Sequence, residues 1–211
     1  MRRLTFTFAC ALALSAFGQE AFAQESNTRR GFWWGLGISY GWAHVSCDIC
    51  MADRKGNVSA TVNLGGTISQ SFLLGGELNG WMRGGEENVN EHMAAASGVA
   101  YWFPRASGSL HFKGGIAYMT YRISDDEEAL TSSGFGPQIG VGYHIDITRH
   151  ASLQPYLNAI VTFPTSDLDI DGNRQAADVS LSLVQFGLGL TWHQRRRLRC
   201  NSCGSENMLR P

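Results

Sequence analysis

The chain has 211 residues, 44% of them hydrophobic and 17% charged, with a formal net charge of −1. That near-balance gives nucleic acid no general electrostatic attraction, and the length suits a single domain. Past the N-terminal region no stretch approaches the roughly 18 consecutive apolar residues of a helical membrane span.

Residues 1–23 read as a cleaved secretory signal peptide. Arg2 and Arg3 form its basic start, Leu4–Phe17 its apolar stretch, and Ala21-Phe22-Ala23 a small-x-small cleavage site. Cys10 follows Thr7-Phe8-Ala9 and lacks the Leu expected of a lipoprotein signal. Losing Arg2, Arg3 and Glu20 leaves a net charge of −2.

Eight strand-like runs follow, recognised by a period of two. In Gly31–Ser46 the even positions are Phe32, Trp34, Leu36, Ile38, Tyr40 and Trp42, and most odd ones are Gly, Ser or Ala. Gly56–Ser69 sets Val58, Val62, Leu64 and Ile68 against Asn57, Ser59, Thr61 and Asn63. Phe72–Arg83 sets Leu74, Leu78 and Met82 against Glu77, Asn79 and Arg83. In Glu91–Phe103 the apolar face holds Met93, Ala95, Val99, Tyr101 and Phe103, opposite His92, Ala94, Ala96 and Gly98. Ser109–Ile123 sets Leu110, Phe112, Ile116 and Tyr118 against His111, Lys113, Gly115 and Ala117. Gly134–Ile145 alternates Phe135, Ile139, Val141 and Tyr143 with Gly136, Gln138, Gly140 and Gly142. Ala151–Phe163 alternates Leu153, Leu157 and Val161 with Gln154, Tyr156 and Asn158. Pro137 and Pro155 each remove a ladder donor and predict irregular pairing there.

The last run, Asp178–Trp192, changes phase: Val179, Leu181 and Leu183 are odd, whereas Phe186, Leu188, Leu190 and Trp192 are even. A β-bulge near Leu183-Val184 would put both sets on one face.

No separate segments remain to cover eight apolar faces, so lipid is their simplest solvent and a closed sheet the simplest fold. Connections alternate between about 3–5 and about 7–14 residues, as short periplasmic turns and longer outer loops do. The fold class is therefore all-β, an eight-stranded antiparallel up-and-down transmembrane β-barrel over residues 31–193. A basic tail, 194–211, follows and reads as disordered.

Gln185-x-Gly187-x-x-Leu190-x-Trp192 completes the pattern. With it the chain resembles the small eight-stranded outer-membrane barrels of the OmpA/OmpX type, over Gly31–Trp192. The resemblance implies a Gram-negative outer membrane, periplasmic termini, and recognition of Gln185, Gly187, Leu190 and Trp192 by the barrel insertion machinery. It also implies a monomer held in outer-membrane lipid, with a structural or surface-interaction role and an unnamed extracellular ligand. Two other functions stay open. One is a narrow pore with a Glu-Lys lumen. The other is a lipid-modifying enzyme, for which only the fragments His44 with Ser46 and His92 with Glu91 are present.

Aromatic residues sort by strand end. Phe32, Trp34, Trp102, Phe103, Phe112, Tyr143 and Trp192 fall near the short turns, and Tyr40, Trp42, Trp81, Tyr118 and Phe163 near the long loops. Such belts mark the two membrane interfaces.

Inside the barrel, Asn63, Glu77, Lys113, Gln138 and Asn158 fall at similar heights. An isolated charge there would be costly, which predicts a Glu77–Lys113 pair bridged by the amides, with His92 or His111 as further partners. Asp167, Asp169, Asp171 and Asp178, with Gly172, match the spacing of a calcium loop. Asp-Gly between alternating residues equally signals a plain hairpin, so no cofactor is expected and calcium is the alternative. Cys47 with Cys50, and Cys200 with Cys203, fall on opposite sides of the membrane and suit local disulfides in an oxidising compartment.

Overall fold

The computed structural model describes residues 29, 31–46, 54–84, 90–124, 129–148, 150–164, 166–170 and 173–193, and only the backbone of 129, 166–170 and 173–177. Its strands are β1 (Phe32–Ser46), β2 (Lys55–Ser69), β3 (Phe72–Gly84), β4 (Asn90–Trp102) and β5 (Leu110–Ser124). There follow β6 (Ala129–Tyr143), β7 (Ile145–Asp146), β8 (Ala151–Val161), β9 (Ser166–Ile170) and β10 (Asn173–His193). No helix occurs among the described residues.

Ten strands make eight walls. β7 keeps the register of β6 against β8, from Gly142↔Tyr156 to Ile145↔Leu153. The break between them faces Pro155, which has no N–H to donate. β8 and β9 likewise share one wall. β6 pairs with β8 from Gln138 onward and with β9 from Leu130 to Ser132, and the gap opens at Pro137. Both prolines therefore interrupt ladders. The antiparallel sheet closes where β1 meets β10, from Trp33↔His193 to Ser46↔Ser180 without a slip.

The outer surface carries Phe32, Leu36, Ile38, Tyr40, Val58, Leu64, Leu78, Ile116, Ile139, Leu157 and Leu188, all exposed. Ile38, in the middle of β1, is 71% exposed, which in water would be a liability and in lipid is the required condition. Trp34 and Trp192 stack across the closing seam with ring centroids 4.4 Å apart. The belt positions Phe32, Trp34, Trp102, Phe112, Tyr143, Tyr40, Trp42, Tyr118 and Phe163 all face outward.

Three expectations are corrected. The faces of β4 are reversed: Met93, Ala95, Val99 and Tyr101 point inward, as does Phe103 just after the strand, while His92, Ala94 and Ala96 lie outside. Cross-strand partners share a face, and Ser97 sits between inward Glu77 and inward Ala117. The run has apolar or small residues on both faces, so greasiness did not label the outer one. Second, β10 has no bulge at Leu183-Val184; its register continues there, and Val179, Leu181 and Leu183 line the lumen beside Gln185. The slip lies between Gln175 and Val179 instead. Third, Trp81 and Phe103 leave the belts, being 1% and 0% exposed inside the barrel.

Candidate functional site

The lumen is filled in three layers, and glycines on the inner faces make the room. Gly65 and Gly75 receive the Trp33 indole, Gly37 the Tyr156 ring, Gly41 the Trp81 indole, Gly140 the Lys113 stem and Gly142 the His111 ring. A methyl at any of these would press on the group it now accommodates.

The middle layer is polar. Lys113 Nζ donates to both carboxylate oxygens of Glu77 at 2.8 Å. Glu77 also accepts from the Tyr101 hydroxyl at 3.0 Å, from Asn79 Nδ2 at 3.0 Å and from Gln138 Nε2 at 2.5 Å. From there the bonding runs around the wall. Gln138 Nε2 donates to Asn158 Oδ1, Asn158 Nδ2 to Gln185 Oε1, and Gln185 Nε2 to Ser59 Oγ, which lies 2.6 Å from Ser39 Oγ. Every one of the eight walls contributes a group. Such a belt satisfies a buried carboxylate many times over and ties strands distant in sequence into one register.

Of the five expected lumen residues, Glu77, Lys113, Gln138 and Asn158 join this belt directly. Asn63 lines the adjoining cavity, and its Oδ1 has no partner among the described residues. The cavity, bounded also by Gly37, Thr61, Tyr101 and Tyr156, has a volume of about 10 Å³, the room of one water. His92 takes no part, because it faces outward. His111 lies lower, with Nε2 2.9 Å from Gln154 Nε2. Tyr101, Gln185, Ser39 and Ser59 are members that sequence reasoning missed. Strand parity marks all four as inward once β4 is placed correctly.

Above the belt, toward the long loops, lies an apolar layer of Trp81, Met93, Met119, Ile160, Leu181 and Leu183. The Trp81 Nε1–H donates to Gly41 O at 3.0 Å, so this indole is anchored rather than loosely packed. Its rim carries one ion pair, Lys55 to Glu91 at 2.6 Å, with the Tyr121 hydroxyl on the same carboxylate at 2.7 Å.

Below it, toward the short turns, Trp33 meets Tyr101 edge-on at 5.2 Å, beside Leu73, Val99 and Phe103. Arg29 closes this end, its Cζ 3.6 Å from the Phe103 ring centroid. The same guanidinium donates to Gln70 O at 3.4 Å, to Ala106 O at 3.1 Å and to Gly108 O. Burial lowers the Arg29 pKa, opposed by Asp146. His144, between β6 and β7, is buried against His111 and Phe103.

Among the described residues no group of His, Cys, Asp and Glu is arranged to hold a metal. The backbone at the calcium-loop spacing forms a hairpin pairing, Ile170↔Asn173 and Asp169↔Arg174. Asp171 and the side chains of Asp167 and Asp169 lie outside the described residues, as do Cys47, Cys50, Cys200, Cys203, the signal peptide and the tail. Gln185, Gly187, Leu190 and Trp192 all fall on β10, with Gln185 and Gly187 inward and Leu190 outward.

A closed antiparallel barrel with a lipid-facing exterior is a family architecture, and residues 9–193 match the profile described as outer membrane protein beta-barrel domain. The chain belongs to this family. Its members sit in the Gram-negative outer membrane, which places the short-turn end in the periplasm. The comparison with curated proteins gave no match. Among solved structures, Neisserial surface protein A is similar at 13% identity and a TM-score of 0.51, over 78% of this chain and 97% of that one. The attachment invasion locus protein of Yersinia pestis matches at 14% identity and a TM-score of 0.47, over 77% and 99%. OprG of Pseudomonas aeruginosa matches at 10% identity and a TM-score of 0.48, over 81% and 100%. At these identities the likeness concerns the fold alone.

Proposed function

We propose that this family member is a closed, non-conducting barrel whose role is structural and surface-interactive. It holds a fixed scaffold in the outer membrane and offers its long loops to a partner outside the cell. The observation that carries the reading is the continuous filling of the lumen. An ion entering from the loop side meets Trp81, Met93, Met119 and Leu181, then the Glu77–Lys113 belt, then Trp33 and Phe103. The cavity beside that belt has a volume of about 10 Å³, the room of one water and too little for a water file.

The reading includes no catalytic role. His92 points to lipid while Glu91 points inward and is bonded to Lys55, so the pair His92–Glu91 shares no face. Recording from planar bilayers tests the proposal: purified, refolded protein should give no stable unitary current over long recordings. Reproducible single-channel steps that vanish in a Glu77→Gln variant would replace it with the narrow-pore reading.

A further inference from the structure

Three imidazoles lie together under Arg29 at the periplasmic mouth, although they come from distant parts of the chain. His111 is second on β5, His144 follows β6 and His193 ends β10. The His111 and His144 rings meet edge to face with centroids 4.9 Å apart, and His144 and His193 lie 6.2 Å apart. Phe103 packs against His111 at 5.1 Å and His144 at 5.4 Å, and Arg29 lies over the Phe103 ring. His111 and His144 are 1% and 6% exposed, and Nδ1 of both His111 and His193 has no hydrogen-bond partner among the described residues.

Among the described residues, the other charged or titratable groups around this mouth can be placed, while Arg30, Arg149 and residues 194–211 lie outside them. Asp146 faces Arg29 and accepts from the Ser152 hydroxyl at 2.7 Å. Lys113 and Glu77 neutralise one another one layer deeper, with Tyr101 bonded to Glu77. Tyr156 stands beyond Lys113. Arg105 and His150 lie exposed on the turns. Thus neutral imidazoles can share the mouth with the Arg29 guanidinium, whereas charged ones would face it with Asp146 as the one nearby acid among the described residues.

We propose that Arg29 is an acid-released latch: protonation of His111, His144 or His193 expels its guanidinium from the mouth and frees the turns at Gln70 and at Ala106–Gly108 that it ties together. The sign follows from proton counting. A buried neutral imidazole holds fewer protons in the closed mouth than in the open one, so the closed form loses ground as pH falls below the ordinary imidazole value of roughly 6.5.

Nuclear magnetic resonance of the refolded full chain, labelled with nitrogen-15 in its arginines, tests this. Arg29→Gln identifies the Arg29 signal. At pH 7.5 the guanidinium should show slow exchange and a ring-current shift from Phe103. Both should disappear in a titration that starts below about pH 6.5. In His144→Gln the release should move down by about one pH unit, and His193→Gln, at the partly exposed rim, supplies the same test should His144→Gln not fold. Release at an unchanged pH in these variants would assign the effect to Asp146 and overturn the latch. So would an Arg29 signal that is already mobile at pH 7.5, or one that stays protected to pH 4.5.

Discussion

Gly65 and Gly66 are adjacent on β2 and should respond oppositely to the same substitution. A Cβ on Gly66 points into lipid and meets nothing within 4 Å. A Cβ on Gly65 would lie 2.7 Å from Gly75 Cα and 2.7 Å from Trp33 Cζ2, besides crowding Leu74 O. Favourable carbon contacts lie at roughly 3.5–4.0 Å, so the backbone of β3 would have to move by about 1 Å. Replacing Gly by Ala in a strand is worth about 0.5–1 kcal/mol, and this gain is common to both variants. What separates them is overpacking, which costs about 1–3 kcal/mol and corresponds to roughly a 5- to 150-fold change in the folding equilibrium. Urea unfolding in phospholipid vesicles, followed by tryptophan fluorescence and by the heat-dependent gel shift, measures it. Gly66→Ala should raise the midpoint and Gly65→Ala lower it, with equal slopes. A second pair on β5 repeats the test: Gly114 meets nothing within 4 Å, whereas Gly115 would meet Val99 Cγ1 at 2.9 Å. Equal shifts within both pairs would refute the idea that inner glycines exist to house the plug.

Three further outcomes follow from the same geometry. Lys113→Met should cost about 3–5 kcal/mol by leaving Glu77 charged and buried, and adding Glu77→Gln should recover part of it, both read by urea unfolding. Ile38→Lys, at mid-height on the lipid face, should cost about 2–4 kcal/mol in vesicles. A loss equal to that of the same change at the exposed loop end would contradict the assigned depth. Trp81→Ala should cost about 3–5 kcal/mol in the same assay yet leave planar bilayers silent, because the Glu77–Lys113 belt still closes the lumen.

Much of the candidate site was legible in strand parity. Glu77, Lys113, Gln138 and Asn158 stood out because polar residues of the right parity fell at one height, and a lone buried charge needs an opposite one. The failures share a cause. Reading the apolar face as the outer face works only where the lumen is polar. Here both ends of the lumen are apolar, so Met93 and Tyr101 on β4 with Phe103 just after it, and Val179, Leu181 and Leu183 on β10, were drawn to the wrong side or given a bulge they do not need. Carrying the inward parity of Gln185 along β10 would have placed them, since a period of two cannot change face without a slip.

The amino-acid sequence by itself determined the eight walls, the alternation of short and long connections, and the lipid as solvent. All of these follow from period-two patterning and connection length, which are local. Only the tertiary structure decided what occupies the lumen, because that depends on residues brought level by register across eight walls. Trp33 fits against Gly65 and Gly75, Gln185 links Asn158 to Ser59, and Arg29 reaches Phe103. Those meetings join residues up to 126 positions apart, a separation at which sequence pattern carries no contact information. They are set by closure of the sheet.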